Sequence, residues 1–203
     1  MILCDIGNTH FHFSKNDYFF DEIVCSLKNE KIYFISVNEN KTKELLKKNP
    51  NSINLAEFVK FDTSYQGLGI DRIMACKTIE NGIVIDAGSA ITIDIMINST
   101  HLGGYILPGL KALNNSYKDI SNKLDVEFNT NIDNIIPTNT KDAISFGAIG
   151  MIIEFIKKVS KDKKIYFTGG DGQYLSKYFD NSVYIKDLVF RGMKKTIGEN
   201  NAM

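Results

Sequence analysis

The sequence predicts an α/β protein built from two similar halves. Three observations carry that reading. Apolar, strand-like runs alternate with helical stretches through the second half. An apolar run ends in Asp-x-Gly-[Asn/Ser] twice, at Asp5-Ile6-Gly7-Asn8 and at Asp86-Ala87-Gly88-Ser89. Each occurrence leads into another strand and not a helix, which sets both turns apart from Rossmann and Walker phosphate loops.

Residues 2–4 read as a short strand running into the turn from Asp5 to Thr9, with residues 11–14 as its return. Further strands are expected at 22–25 and 32–37, followed by a polar-faced helix at about 40–48. After Asp71 the spacing of Ile73, Met74, Lys77 and Ile79 is helical. Ile83-Val84-Ile85 then runs into the second turn, and residues 90–97 alternate as the returning strand. The motif Gly103-Gly104-Tyr105-Ile106-Leu107-Pro108-Gly109 introduces a helix to about Leu124, and the polar, Asn-rich stretch 125–139 reads as a loop. Ile144, Ala148, Met151, Ile152, Phe155 and Val159 share one face of a long helix expected over 140–160. Within it, Gly147 and Gly150 would admit another backbone. Residues 164–167 form a strand ending in Thr168-Gly169-Gly170-Asp171-Gly172, followed by a short helix, a strand at 182–186 and a last helix from Leu188. The first half is poorer in helix, and the boundary near 77–82 gives halves 1–78 and 79–203.

Composition narrows the function classes. The 203 residues are 43% apolar and carry 24 Lys+Arg against 24 Asp+Glu, a formal net charge of zero. Binding to nucleic acid or an anionic membrane by bulk electrostatics needs a basic surplus that is lacking here. The basic stretch from Lys41 to Lys48 reads as a solvated helix face. A chain of this length buries about 70% of its unfolded surface, so its core needs neither disulfides nor a structural metal. Its apolar runs fall far short of the roughly 20 residues that span a bilayer, and the start lacks the pattern of a secretory signal. A cytoplasmic protein without a membrane span is expected. Cys4, Cys25 and Cys76 are odd in number and widely spaced, which predicts reduced, buried thiols.

The common signatures G-x-x-x-x-G-K-[ST], G-x-G-x-x-G after a strand, G-x-S-x-G and H-E-x-x-H do not occur. His10 and His12 lie on one strand face without an evident third metal ligand, and His101, before Gly103-Gly104, reads as a surface or turn residue. The Asp5 and Asp86 turns suggest another route to phosphate. A sharp hairpin with Gly at its apex exposes successive backbone N–H groups, Thr9 or Ser89 adds a hydroxyl, and the Asp carboxylate can hold a hydrated Mg²⁺. Two such turns across a cleft would grip a nucleoside triphosphate, although Asp and Gly also form ordinary turns between strands. The Gly-rich turn at 168–172 would let a base or phosphate approach the backbone. Asp71, at the head of its helix, is either a cap or the acceptor of a proton from a hydroxyl nucleophile, and Arg72 would pair with an anion.

Taken in order, Asp5-Ile6-Gly7-Asn8-Thr9, Gly69-Ile70-Asp71-Arg72, Asp86-Ala87-Gly88-Ser89-Ala90-Ile91-Thr92, Gly103 to Gly109, Asn139-Thr140 and Thr168-Gly169-Gly170 resemble the motifs of type III pantothenate kinases over nearly the whole chain. The resemblance implies the duplicated ribonuclease-H-like fold of the actin, acetate kinase and sugar kinase superfamily, with an ATP cleft between the halves. It implies a homodimer that phosphorylates the pantothenate hydroxyl with ATP, the first step towards coenzyme A, and that requires K⁺ or NH₄⁺. By motif, Asp5, Ile6, Gly7, Asn8, Thr9, His10, Phe11 and His12 would bind the ATP phosphates, Asp5 positioning Mg²⁺ through water, and Ser89 would contact the nucleotide. Asp71 would accept the proton. Tyr65, Gly69, Ile70, Asp71, Arg72 and Thr140 would contact pantothenate, and Asp86 would ligate the monovalent cation. The glycines of the long helix would serve the dimer contact. Two departures stand out: Ser occupies position 89 where Thr is usual, and the first half is short ahead of Tyr65. A nucleotide-binding transcription-accessory module and an actin-like assembly ATPase are the alternatives. Neither explains an Asp-Arg pair lying between the two turns.

Overall fold

The computed structural model describes residues 1–132 and 136–200. In chain order its strands are β1 (Ile2–Ile6), β2 (Phe11–Lys15), β3 (Tyr18–Glu22), β4 (Ile32–Ser36), β5 (Ile53–Asn54), β6 (Gly82–Ala87), β7 (Ala90–Ile97), β8 (Thr100–Pro108), β9 (Ile165–Thr168) and β10 (Ser182–Tyr184). Its α-helices are α1 (Glu39–Lys48), α2 (Ile70–Cys76), α3 (Leu110–Ile120), α4 (Thr140–Ser160), α5 (Gly172–Ser176) and α6 (Leu188–Glu199).

The strands form two five-stranded sheets among the described residues, ordered β3-β2-β1-β4-β5 and β10-β9-β6-β7-β8. Taken from its other edge, the second order is β8-β7-β6-β9-β10. In both sheets the first strand is central, the next two lie to one side and the last two to the other. This shared topology is the structural form of the motif repeat. Both turns, at Asp5 and Asp86, leave the central strand of their sheet.

The hairpins repeat as well. Asn16 and Asn98 have φ of 50°, and the residues after them, Asp17 and Ser99, have φ of 64° and 63°. Two successive residues with positive φ make the tight turn whose twist suits a two-residue hairpin, and they deliver the chain from β2 to β3 and from β7 to β8.

One compact unit comprises Met1–Glu80, Met96–Gly103 and the stretch from Asp187. Strand β1 pairs antiparallel with β2 and parallel with β4. Ile2, Cys4, Ile6, Phe11, Phe13, Ile32, Phe34 and Leu45 form its core. Helix α1 is capped by Asn38, whose side chain accepts the Lys41 N–H, and carries Glu39 in its first turn and Lys47 and Lys48 in its last, each complementing the helix dipole. Helix α6 packs on α2 and β1. Gly192 lies so close to the Met74 carbonyl that a Cβ would stand 2.0 Å from the oxygen. Lys77, at the end of α2, is buried with its ammonium 2.8 Å from Glu199 and donating to the Lys60 carbonyl.

The other unit comprises Asn81–Ile95 and Gly104–Lys186. Strand β6 is buried along almost its whole length and pairs parallel with β9, which explains its unbroken apolar run. Ile83, Ile85, Ile91, Ile93, Ile149, Ile152, Ile156 and Phe167 dominate the core.

Several expectations are corrected. The strand expected at 22–25 lies at Tyr18–Glu22, because the Asn16-Asp17 turn starts it early. Residues 100–108 form a long strand that the two glycines had obscured. Helix α3 stops at Ile120, where Ser121 turns extended before a single 3-10 turn. The buried face of α4 runs through Ile149, Ile152, Ile153 and Ile156, while Met151 is 60% exposed. His101 is fully buried. The loop expected over 125–139 is irregular where described; residues 133–135 lie outside the described residues. All three cysteines are free and buried.

Candidate active site

In the first unit, Asp5 sits half-buried near the end of β1, opposite His12. The Gly7 N–H closes the turn on the His10 carbonyl at 3.0 Å, leaving Asn8 and Thr9 exposed at the apex. Ile6 and Phe11 are fully buried, so they anchor the turn in the core and offer a ligand only their backbone. His10 Nδ1 lies 3.0 Å from Thr9 Oγ1, and His12 Nδ1 lies 2.8 Å from Asp21 Oδ1. The two imidazoles are 5.9 Å apart. No group of three or more His, Cys, Asp or Glu able to hold a metal occurs among the described residues.

In the same unit, Gly69 is the N-cap of α2, and without a side chain it leaves room for the Asp71 carboxylate to fold back. A Cβ there would meet Asp71 Oδ1 at 2.5 Å. That oxygen accepts the Arg72 backbone N–H at 2.8 Å. Asp71 therefore does not cap the helix in the usual sense; it stands one position inside it, half-buried. Arg72 is 5% exposed, with its guanidinium 4.9 Å from the centre of the Tyr65 ring. Tyr65, Gly69, Ile70, Asp71 and Arg72 thus form one local cluster.

In the second unit, three glycine-bearing segments converge on the Asp86 turn. The Gly88 N–H closes the turn on the Ala90 carbonyl at 2.9 Å. Gly109 donates to the Ser89 carbonyl, and a Cβ on it would lie 2.3 Å from the Gly88 oxygen. Gly169, with φ of +82°, would set a Cβ 2.4 Å from Asp86 Oδ1 and 2.5 Å from the Ala87 carbonyl, which itself accepts the Asp171 N–H. A carboxylate and a carbonyl oxygen therefore face the same point. Burial pushes the Asp171 carboxyl up, and burial with the charge of Asp86 pushes the Tyr184 hydroxyl up. Ser89 is exposed at the apex.

Thr140, also in this unit, is exposed at the first position of α4. The N-cap beside it, Asn139, accepts the Asp142 N–H at 2.9 Å. Asn129 and Asn139 donate to the two Asp142 oxygens at 2.8 and 2.7 Å, holding that carboxyl below its ordinary value.

A family model described as type III pantothenate kinase matches residues 36–162. A type III pantothenate kinase of Campylobacter jejuni is 52% identical over 98% of both chains, and that of Wolinella succinogenes is 45% identical over 98% of this chain and 97% of its own. This chain belongs to the type III pantothenate kinase family. Among solved structures, a Campylobacter jejuni protein described as a candidate Baf family transcriptional activator superposes over all of both chains with a TM-score of 0.91 at 51% identity. A candidate 2-dehydro-3-deoxygalactonokinase of Sinorhizobium meliloti superposes with a TM-score of 0.56 at 7% identity, which shows a shared fold alone. The two-sheet architecture is the duplicated ribonuclease-H-like fold.

As a member of this kinase family the chain is an enzyme that uses ATP. Among the described residues no helix is long and apolar enough to cross a membrane. Sequence reasoning missed Asp171 and Tyr184 near the Asp86 turn and gave Gly109 no role of its own. Gly109 and Asp171 each carried a signal, their places in Gly-rich motifs, and Tyr184 carried none.

Proposed function

We propose that this chain transfers the terminal phosphoryl group of ATP to the hydroxyl of pantothenate, giving 4'-phosphopantothenate, and that it works in the cytoplasm as a homodimer. The observation that carries the reading is the Tyr65–Arg72–Asp71 cluster in a chain 52% identical, end to end, to a type III pantothenate kinase.

The phosphates of ATP are bound by the turn from Asp5 to His12, whose apex offers the backbone N–H groups of Asn8 and Thr9 and the Thr9 hydroxyl. Ser89, at the matching apex of the second turn, contacts the nucleotide. Among the described residues Asp5 belongs to no group of three or more His, Cys, Asp or Glu, which suits a divalent ion held through water and phosphate and not by a protein cage. The Asp86 carboxylate and neighbouring carbonyls are hard oxygen donors suited to K⁺ or NH₄⁺. When bound, Mg²⁺ and the monovalent cation neutralise charge on the phosphates.

Arg72 pairs with the pantothenate carboxylate, Tyr65 covers the guanidinium, and Gly69, Ile70 and Thr140 complete the substrate contacts. Asp71 uses Oδ1 to hold the Arg72 N–H and presents its other oxygen to the substrate hydroxyl, accepting its proton as the oxygen attacks. Catalysis is then positioning with charge neutralisation. For the dimer, an apolar face of the second unit suits a second copy: Ile106 and Met151 are 58% and 60% exposed. Beside them a groove of about 140 Å³ is lined by Leu107, Pro108, Leu113, Met151, Ile152 and Phe155. On the same helix a Cβ on Gly147 would meet open space.

The test is ADP release with and without pantothenate, in KCl and in NaCl, on wild type and Asp71→Asn. Turnover that needs pantothenate and K⁺, cut roughly 10²-fold or more in the variant with ATP binding retained, supports the reading. Absence of turnover from protein that still binds ATP would favour a regulatory, nucleotide-binding role.

A further inference from the structure

His101 is fully buried in the first unit, yet the kinase reading gives it no role. Its Nδ1 lies 2.7 Å from Thr63 Oγ1. That hydroxyl also accepts the Tyr65 N–H at 3.0 Å. Two further bonds tie the same segment to the start of β8: the His101 N–H donates to the Asp62 carbonyl at 3.0 Å, and Thr100 Oγ1 donates to Asp62 Oδ2 at 2.8 Å. Thr63 and His101 also pair as an isolated parallel bridge. The imidazole packs between the rings of Phe61 and Tyr65, at 5.9 and 6.1 Å, and Tyr65 in turn covers Arg72.

From this chain of contacts we infer that His101 is a positioning residue for pantothenate: through Thr63 it fixes the segment carrying Tyr65, and Tyr65 fixes the guanidinium that receives the substrate anion. The inference rests on the proposed role of Tyr65 and Arg72. Burying polar groups gains little over apolar packing, so a buried imidazole bonded to a hydroxyl serves to place the groups it binds more than to fill the core. The hydroxyl can donate its single hydrogen to Nδ1 while accepting the Tyr65 N–H on one of its lone pairs, so one group ties the imidazole to the Tyr65 backbone.

The experiment measures KM and kcat for both substrates in His101→Phe, His101→Asn, Thr63→Val and the double variant His101→Phe/Thr63→Val. Phe keeps the ring packing and loses the bond; Asn can set its side-chain carbonyl oxygen near the place of Nδ1 as the acceptor for the Thr63 hydroxyl. The expected result is a pantothenate KM raised about 3- to 10-fold in His101→Phe and in Thr63→Val, the factor of one ordinary hydrogen bond, with the ATP KM unchanged. The double variant should lose no more than either single one, since both break the same link. His101→Asn should recover most of the loss. An ATP KM that rises in parallel, or losses that multiply in the double variant, would overturn the inference. Arg72→Ala separates the two levels. If it spares the pantothenate KM, the substrate site itself is misassigned; if it raises that KM while His101→Phe and Thr63→Val do not, only the positioning role falls.

Discussion

Gly192→Ala tests whether the contact of α6 with α2 is as tight as its geometry implies. An alanine Cβ would lie 2.0 Å from the Met74 carbonyl oxygen and 2.8 Å from its carbon, well inside van der Waals contact. The obstacle is backbone, which cannot swing aside as a side-chain tip can, so α6 must lift by more than an ångström. Overpacking of this kind costs about 1–3 kcal/mol, with a rigid partner at the upper end. Alanine's better helix propensity returns about 1 kcal/mol. A net loss of about 2 kcal/mol corresponds to a Tm lower by roughly 4–8 °C in a chain of this size. Because α2 carries Asp71 and Arg72, kcat/KM for pantothenate should also fall at temperatures where the variant is still folded. Differential scanning calorimetry and steady-state kinetics read the two effects. A Tm equal to or above that of wild type would mean that propensity alone is at work and would refute the packing argument.

Gly69→Ala should behave differently, since its new Cβ would strike only the Asp71 carboxylate at 2.5 Å: Tm should stay within about 2 °C, as expected for a partly exposed site, while kcat falls. Equal kcat would show that Asp71 works from another rotamer. Asp86→Ala should weaken ATP binding by roughly tenfold, the scale of one lost contact to a charged group, and blunt the response to K⁺; unchanged K⁺ activation would sink the cation assignment. For Asp142, the bonds from Asn129 and Asn139 lower the carboxyl's folded pKa below 3.8. Their stabilisation is present above that ordinary value and is lost as pH falls through the folded one. The Tm gap between wild type and Asp142→Asn should therefore narrow on acidification below about pH 4, and a gap that widens would contradict the assignment.

Much of this fold was legible because the core strands are written in one alphabet. Ile83-Val84-Ile85 needs burial on both faces, and β7 and α4 fall where their periodicities put them. The displaced β3 and the missed β8, the latter also obscured by its two glycines, each follow a turn of a type usually signalled by Gly: at Asn16-Asp17 and Asn98-Ser99 Asn takes the positive φ. Noticing that both follow an Asp-x-Gly turn at a similar interval would have revealed β3 and β8 together. The site divided along another line. Tyr65, Asp71 and Arg72 are close in sequence, so a local reading could group them. His101 meets Thr63 across 38 positions, and the Gly103-Gly104 that follows suggested a turn, so nothing local reported its burial. Likewise Asp171 and Tyr184 gain their environment only once β9 and β10 fall in beside β6.

The closing helix of the first unit has a consequence for synthesis. As the chain leaves the ribosome, β1 to α2 emerge early, but the side of α2 at Met74 on which α6 packs stays uncovered until α6 follows more than a hundred residues later. A nascent chain, or a product of premature termination before Leu188, would carry Asp71 and Arg72 on an unsupported helix. Catalytic competence should therefore require α6 in place, and fragments lacking it should be cleaved near α2 more readily than the full chain.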